Sequence, residues 1–307
     1  MTTRLALALV LALLSSLPVC GAAPAAARTS AGRPELTPAC DLRGGATVAF
    51  TSANPGRLPL AKATVNGVEG VFLVDTGASI SVLSPEFADK ARLTDRLTQP
   101  GASVNGVAGG VSFARVTQLR VGGARFSGFH ALLMDLGHLE SGLGAKPAGI
   151  LGANVLLRAP LTLDYVAGVA TWNGPEPKGA VALPAEFSKG GVFVKGDLDG
   201  VKLPLLLDTG ASVNAILEGD WPGPRREAGV NREARAHGAQ EAKVVVADVR
   251  RASFGGLSVS APEFRLNTTH RCLGAPFFAG SILHLDASKR RVLMWKGAPV
   301  AAPGTIR

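Results

Sequence analysis

The chain has 307 residues, room for one large domain or two of ordinary size. Apolar residues make up 47% and charged residues 18%, which excludes a disordered polyelectrolyte and supports a buried core. The formal net charge of +9 leaves an acidic partner, a nucleic acid or an anionic membrane surface open until the motifs are read.

Residues 1–27 read as a secretory signal: Arg4 supplies a positive start, Leu5 to Leu14 is unbroken Leu, Ala and Val, and Ala25, Ala26 and Ala27 suit cleavage. The apolar run is shorter than the ~20 residues of a membrane span. No later stretch is longer, so no transmembrane span is expected and the exported protein should be periplasmic or secreted. Leu17-Pro18-Val19-Cys20 resembles a bacterial lipoprotein signal, with Cys20 as lipid anchor, although Val19 is larger than the small residue usual there. Residues 28–44 are expected as a poorly ordered lead. Cys40 and Cys272 then remain, either as one disulfide of an exported protein or with Cys272 as a small buried apolar residue. The His residues are scattered and no CxxC or Cys/His cluster has metal spacing, so no metal is expected.

From residue 45 onward the chain is written twice. Leu58–Val65, Asn66-Gly67 and Val68–Val74 read as strand, type I′ turn and strand, because Asn-Gly suits a turn with positive φ at both central residues. The hairpin leads into Asp75-Thr76-Gly77-Ala78-Ser79. Residues 192–198, Asp199-Gly200 and Val201–Leu207 repeat the hairpin and lead into Asp208-Thr209-Gly210-Ala211-Ser212, an offset of 208 − 75 = 133. Gly122-Gly123 and Gly255-Gly256 keep that offset. Ile150-Leu151-Gly152 and Cys272-Leu273-Gly274 do not, since 274 − 152 = 122. The first copy therefore holds 11 extra residues, expected as a Gly-rich surface loop within 135–148. Residues 85–93 form the best helix, with Ser84 as N-cap and Pro85 at its first position. The Pro- and Gly-rich residues 175–179 mark a linker. Lobe one is expected over 45–174, lobe two over 180–299, and a tail over 300–307.

The chemistry of the repeated turn is specific. A carboxylate at the end of an apolar strand, in a tight Gly turn, is rigidly aimed. Gly77 and Gly210 permit close backbone approach. Two such carboxylates facing each other share a proton, so that one serves as base and the other as acid. A water between them becomes a nucleophile toward a carbonyl without metal or cofactor. One Asp-Thr-Gly alone reads as an ordinary turn; two intact copies, each after a buried strand and hairpin, do not.

The motifs Leu73-Val74-Asp75-Thr76-Gly77-Ala78-Ser79 and Leu206-Leu207-Asp208-Thr209-Gly210-Ala211-Ser212 resemble the signature of aspartic peptidases of the pepsin and retropepsin kind. The two hydrophobic residues and Gly that end at Gly152 and Gly274 are similar to that family's second signature. Two small repeats in one chain look most like bacterial retropepsin-like proteins with fused repeats. The resemblance implies an all-β, bilobal fold, a monomer, and a peptide or protein substrate. It implies Asp75 and Asp208 as catalytic dyad, Thr76 and Thr209 as an interlocking pair beneath it, and Gly77, Ser79, Gly210 and Ser212 as its supports. The flap is expected over 103–111, with Asn105, Gly106, Val107 and Gly109 at or near its tip; residues 235–242 match it in lobe two as a second flap or a loop. Pepsins carry a flap Tyr, whereas the single Tyr here, Tyr165, follows a late strand. A peptide-binding protein that kept the fold without the activity is therefore the alternative to a working endopeptidase. Basic residues such as Arg225, Arg226, Arg232 and Arg235 are interrupted by Glu227 and Glu233 and lack aromatic neighbours, so they read as solvated surface and no nucleic acid is expected.

Overall fold

The computed structural model describes residues 33–42, 45–53, 58–99, 103–104, 107–108, 111–188, 190–235 and 238–296. The expected signal with Cys20, the tail 300–307, and Asn105, Gly106 and Gly109 lie outside the described residues. The chain is all-β, with helices of one or two turns between strands.

Each copy is built on its hairpin. Leu58–Val65 pairs antiparallel with Val68–Val74, and Asn66 and Gly67 take φ of 47° and 85°. Gly191–Leu198 pairs with Val201–Leu207 in the same way, with φ of 47° and 96° at Asp199 and Gly200. Positive φ at both positions is the type I′ geometry that matches strand twist. The turn side chains also fasten a distant loop. Asn66 Oδ1 accepts from Thr117 Oγ1 at 2.8 Å and from the Gln118 N–H at 3.0 Å. The Asp199 carboxylate accepts the N–H groups of Arg250 and Arg251 at 2.7 and 3.1 Å.

Parallel partners come from late in each copy. Gly149–Leu151 lies beside Val68–Val74, and Cys272–Leu273 beside Val201–Leu207. Their buried, near-continuous apolar character is what a strand covered on both faces requires. The copies are joined by a shared stretch of sheet, in which Leu161–Asp164 of the first pairs antiparallel with Ser281–Asp286 of the second. Strands Val169–Trp172 and Arg291–Lys296 flank this pair, and Thr47–Ala53 and Val181–Leu183 extend it. Leu161, Leu163, Leu283 and Leu285 are fully buried along it, so the join rests on apolar burial.

Three expectations change, and one open choice is decided. The helix ends at Lys90 rather than residue 93. Arg92 turns left-handed at φ 54°, while the N–H groups of Arg92 and Leu93 reach the carbonyls of Asp89 and Ala88, a Schellman closure. Residues 135–148 are not a surface loop. They hold a 3₁₀ turn Gly137–Leu139 and a helical turn Glu140–Leu143, pinned by buried Leu136, Leu139 and Leu143 against Leu73, Ala78 and Ile80. The lead is ordered over residues 33–42: Ala39–Asp41 pairs with Ala124–Ser127, and Glu35 exchanges backbone contacts with buried His130. Cys272 is free and buried, its thiol directed at the Val213 carbonyl, so it forms no disulfide with Cys40.

In lobe two, 235–242 falls in a long hairpin of Arg225–Arg235 and Gly238–Ala247. Its base is laced by ion pairs, Arg225 with Glu218 and Lys243 with Glu227, consistent with solvated basic surface. Among the described residues no helix is long and apolar enough to cross a membrane.

The buried insertion gives a direct test. Leu139, 1% exposed, should cost about 2–4 kcal/mol on replacement by Ala in urea unfolding; a change within ~0.5 kcal/mol, the range of surface substitutions, would contradict its core role.

Candidate active site

The two Asp-Thr-Gly turns meet at the join. Strand Val68–Val74 delivers Asp75, whose N–H is closed by the Leu151 carbonyl at 3.0 Å; strand Val201–Leu207 delivers Asp208, closed by Leu273 at 3.0 Å. Asp75 is 1% exposed and Asp208 fully buried. Below them the threonines interlock. Thr76 Oγ1 donates to the Leu207 carbonyl at 2.6 Å and accepts the Thr209 N–H at 3.2 Å. Thr209 Oγ1 donates to the Val74 carbonyl at 2.7 Å and accepts the Thr76 N–H at 3.0 Å. Four hydrogen bonds thus cross between the copies with neither threonine reaching solvent.

That interlock brings each turn onto the opposite carboxyl. A Cβ on Gly77 would overlap the Asp208 carboxyl group, and one on Gly210 would overlap that of Asp75. Glycine at these two positions is therefore a condition for the two acids to face each other. Asp75 Oδ1 accepts the N–H groups of Gly77 at 2.8 Å and Ala78 at 3.0 Å, and Asp208 Oδ1 accepts that of Gly210 at 3.0 Å. Asp208 Oδ2 is buried and meets no donor among the described residues.

Burial holds both carboxyls above the ordinary carboxylate range. For Asp75 the N–H bonds from Ala78 and Gly77 oppose burial, and the net position is about 6. Asp208 is likewise held well above the ordinary carboxylate value, first by burial and then by the Asp75 charge. Burial of both acids and the repulsion between their charges favour one proton shared by the pair, and the buried Asp208 Oδ2 meets no other partner among the described residues.

Two further groups complete the site. Asn154 Oδ1 accepts both the N–H and the hydroxyl of Ser81, at 2.8 and 2.9 Å, and Ser81 Oγ accepts the Gly152 N–H at 3.0 Å. In the second copy Asn214 does the same work from the other strand, its Oδ1 accepting the Gly274 N–H at 3.0 Å. The signal for these was the position six residues after each Asp, occupied by Ser81 and Asn214. Tyr165 is the other group that sequence reasoning set aside. The residue is partly exposed but its hydroxyl is buried and meets no partner among the described residues, and burial together with the Asp208 and Asp75 charges drives the phenol above its ordinary value. It stacks on Phe278 at 5.8 Å.

Ser79 and Ser212 follow directly on the two turns; the Ser79 carbonyl accepts the Asn154 N–H at 3.2 Å. Val107 lies in the short pair Ser103–Val104 with Val107–Ala108, at the far end of the hairpin of Arg96–Gln99 and Val111–Val116.

The interlock can be tested by substitution. Thr209→Val keeps the shape but deprives the Val74 carbonyl and the Thr76 N–H of their partners, so unfolding free energy should fall by about 2–4 kcal/mol. Thr209→Ser should restore most of it. Equal stability of Val and Ser variants would show that the hydroxyl bonds are not what joins the turns.

A family model described as aspartyl protease matches residues 61–155. The match runs from the first hairpin through Asp75 and its turn to Asn154 and Val155, and so contains one half of the paired site. No curated protein matches the chain. The first copy is thus similar to aspartyl proteases in the segment that carries Asp75, Thr76 and Gly77.

Proposed function

We propose that the protein is an aspartic endopeptidase that hydrolyses peptide bonds with a water activated between Asp75 and Asp208. The observation that carries this reading is the pair of buried carboxyls brought face to face by the glycines of opposite turns. In this reading the two copies are lobes of one monomer, 45–174 and 180–299, with the cleft between them. The apolar leader supports export to the periplasm or outside the cell, with Cys20 as a lipid attachment point if cleavage falls after Val19 as in a lipoprotein signal.

The chemistry follows from the single shared proton. Ionised Asp75 takes a proton from water as the water oxygen bonds to the scissile carbonyl carbon, while protonated Asp208 gives its proton to the carbonyl oxygen. The resulting diol collapses: Asp75 passes its proton to the departing nitrogen, the C–N bond breaks, and a diol hydroxyl returns a proton to Asp208. Ser79 and Ser212 brace the carboxyls in this reading.

Each of Asp75→Asn and Asp208→Asn should lower kcat/KM on a peptide library by at least about 10³-fold. Cleavage near that of the unaltered protein in either variant would remove the mechanism and favour a peptide-binding role. Wild-type kcat/KM should rise with pH through about 6 as Asp75 ionises, and fall at higher pH as Asp208 loses the shared proton. An optimum as acidic as that of a gastric enzyme would contradict the burial argument.

A stability measurement checks the dyad without any substrate. Folded Asp75 holds its proton more tightly than the unfolded chain, with a position of about 6 against 3.8. Its ionisation therefore opposes folding above pH 6, and this penalty disappears below pH 3.8. Asp75→Asn should raise stability by roughly 1–3 kcal/mol near pH 7.5 and by little near pH 4. No gain at pH 7.5 would mean that the carboxylates are better compensated than their burial indicates.

A further inference from the structure

A cavity of about 350 Å³ lies beside the Asp208 turn, within the size range of small-ligand pockets, ~300–1,000 Å³. Ser212 and Asn214, which follow that turn directly, form one wall; Glu263, Arg265, Phe277 and Lys296 form much of the rest. The wall next to the turn is rigid, because Asn214 is held at both ends, by the Gly274 N–H and by the Glu263 carbonyl at 3.1 Å.

One cation of this cavity has no ion pair among the described residues. Lys296 Nζ donates to the Phe277 carbonyl at 3.2 Å and sits 4.9 Å over the Phe277 ring. Neither is an anion, and among the described residues Lys296 makes no ion pair. Burial accordingly drives the ammonium below its ordinary value. Arg265 adds a second cation to the wall. The one carboxylate there, Glu263, lies 3.8 Å from Arg226 Nη2 and is half exposed. Lys296 thus stands in a partly desolvated hollow without an ion pair among the described residues, and an ammonium with three donors has two to spare.

We propose that this cavity is a binding subsite for a carboxylate carried by the peptide substrate, with Lys296 as its charged partner. The assignment rests on the peptidase reading, and it adds a specificity that the dyad alone does not supply. A carboxylate meets Lys296 as a charge-assisted hydrogen bond and is worth more there than at an open surface. The Phe277 ring, 4.9 Å from the ammonium, favours the charged form at this place. An amide of the same shape brings no charge and leaves the ammonium uncompensated.

The test uses the full mature chain and matched peptides with Glu or Gln at each position along the substrate, and with a free or amidated C-terminus. At one position the wild-type protein should show a KM about 10-fold or more lower for the carboxylate than for the amide, with kcat little changed. Preference for Glu over Gln assigns the site to a side chain, and preference for the free terminus assigns it to the peptide end; both support the subsite. Lys296→Gln should reduce the ratio to about one while cleaving the neutral peptide as before, and Lys296→Arg should retain it. Equal handling of carboxylate and amide by the wild-type protein would overturn the proposal, as would an undiminished preference in Lys296→Gln. Fluorescence anisotropy of the same peptides on Asp75→Asn separates the two readings. Lys296-dependent carboxylate binding without cleavage by any wild-type preparation would sink the peptidase and keep the subsite, whereas cleavage without carboxylate preference would do the reverse.

Discussion

The crossed threonine bonds beneath Asp75 and Asp208 are the constraint on which the site depends. Apolar burial along Leu161–Asp164 and Ser281–Asp286 brings the two copies together, but burial is not directional and does not set atomic register. Register comes from Thr76 and Thr209, each tied to the carbonyl that immediately precedes the other copy's Asp. Each hydrogen bond contributes only about 0.5–1.5 kcal/mol net. Their geometric effect is larger, because the same bonds bring the Gly77 and Gly210 backbones against the opposite carboxyls. Without that approach the chain would hold two ordinary Asx turns.

The approach works against stability. Two acids share a water-poor space, and Asp208 Oδ2 has no donor to offset its desolvation. The fold tolerates this because the surroundings are over-determined: each Asp N–H is closed by a parallel strand, each turn is braced by Asn154 or Asn214, and apolar clusters lie on both sides. The donors are also unevenly distributed. Gly77 and Ala78 serve Asp75, and the Gly210 N–H also favours its charged form. Two acids in the same Asp-Thr-Gly-Ala-Ser run therefore meet unequal surroundings.

Much of this was legible in the sequence, for reasons that differ by feature. The hairpins announced themselves through Asn66-Gly67 and Asp199-Gly200, since few residues accept the φ that those positions need. The two facing acids showed in the repeated Asp-Thr-Gly, and their depth in the apolar strands before them. The lead strand Ala39–Asp41 was hidden because three residues carry no periodicity and their partner, Ala124–Ser127, is far along the chain. The inserted helical turns were hidden by their glycines, although Leu136, Leu139 and Leu143 fall at helical spacing; the run is too short for that pattern to stand out. The Cys272 thiol could not be settled from residue type alone, because a disulfide and a buried apolar side chain use the same residue. Tyr165 was read by its place in the chain, as too late for a flap, and that reading said nothing of a hydroxyl buried under the influence of both carboxylates.

The two copies also differ in how they brace the same turn, and the difference explains where open space lies. In the first, the amide is Asn154, two residues after Gly152, and its Nδ2 donates to the Leu36 carbonyl of the lead at 2.8 Å. Leu36 packs against the cluster that contains Ala78 and Ile80. In the second, the amide has moved to Asn214 on the turn itself, and Pro276 stands two residues after Gly274, where no side-chain donor is available to hold a covering strand. The first copy is therefore strapped by residues 33–42, while at the corresponding place in the second Pro276 lines the cavity that holds Lys296. The two copies carry the same Asp-Thr-Gly turn; a brace on opposite sides of that turn leaves one flank covered and the other open beside Asp208.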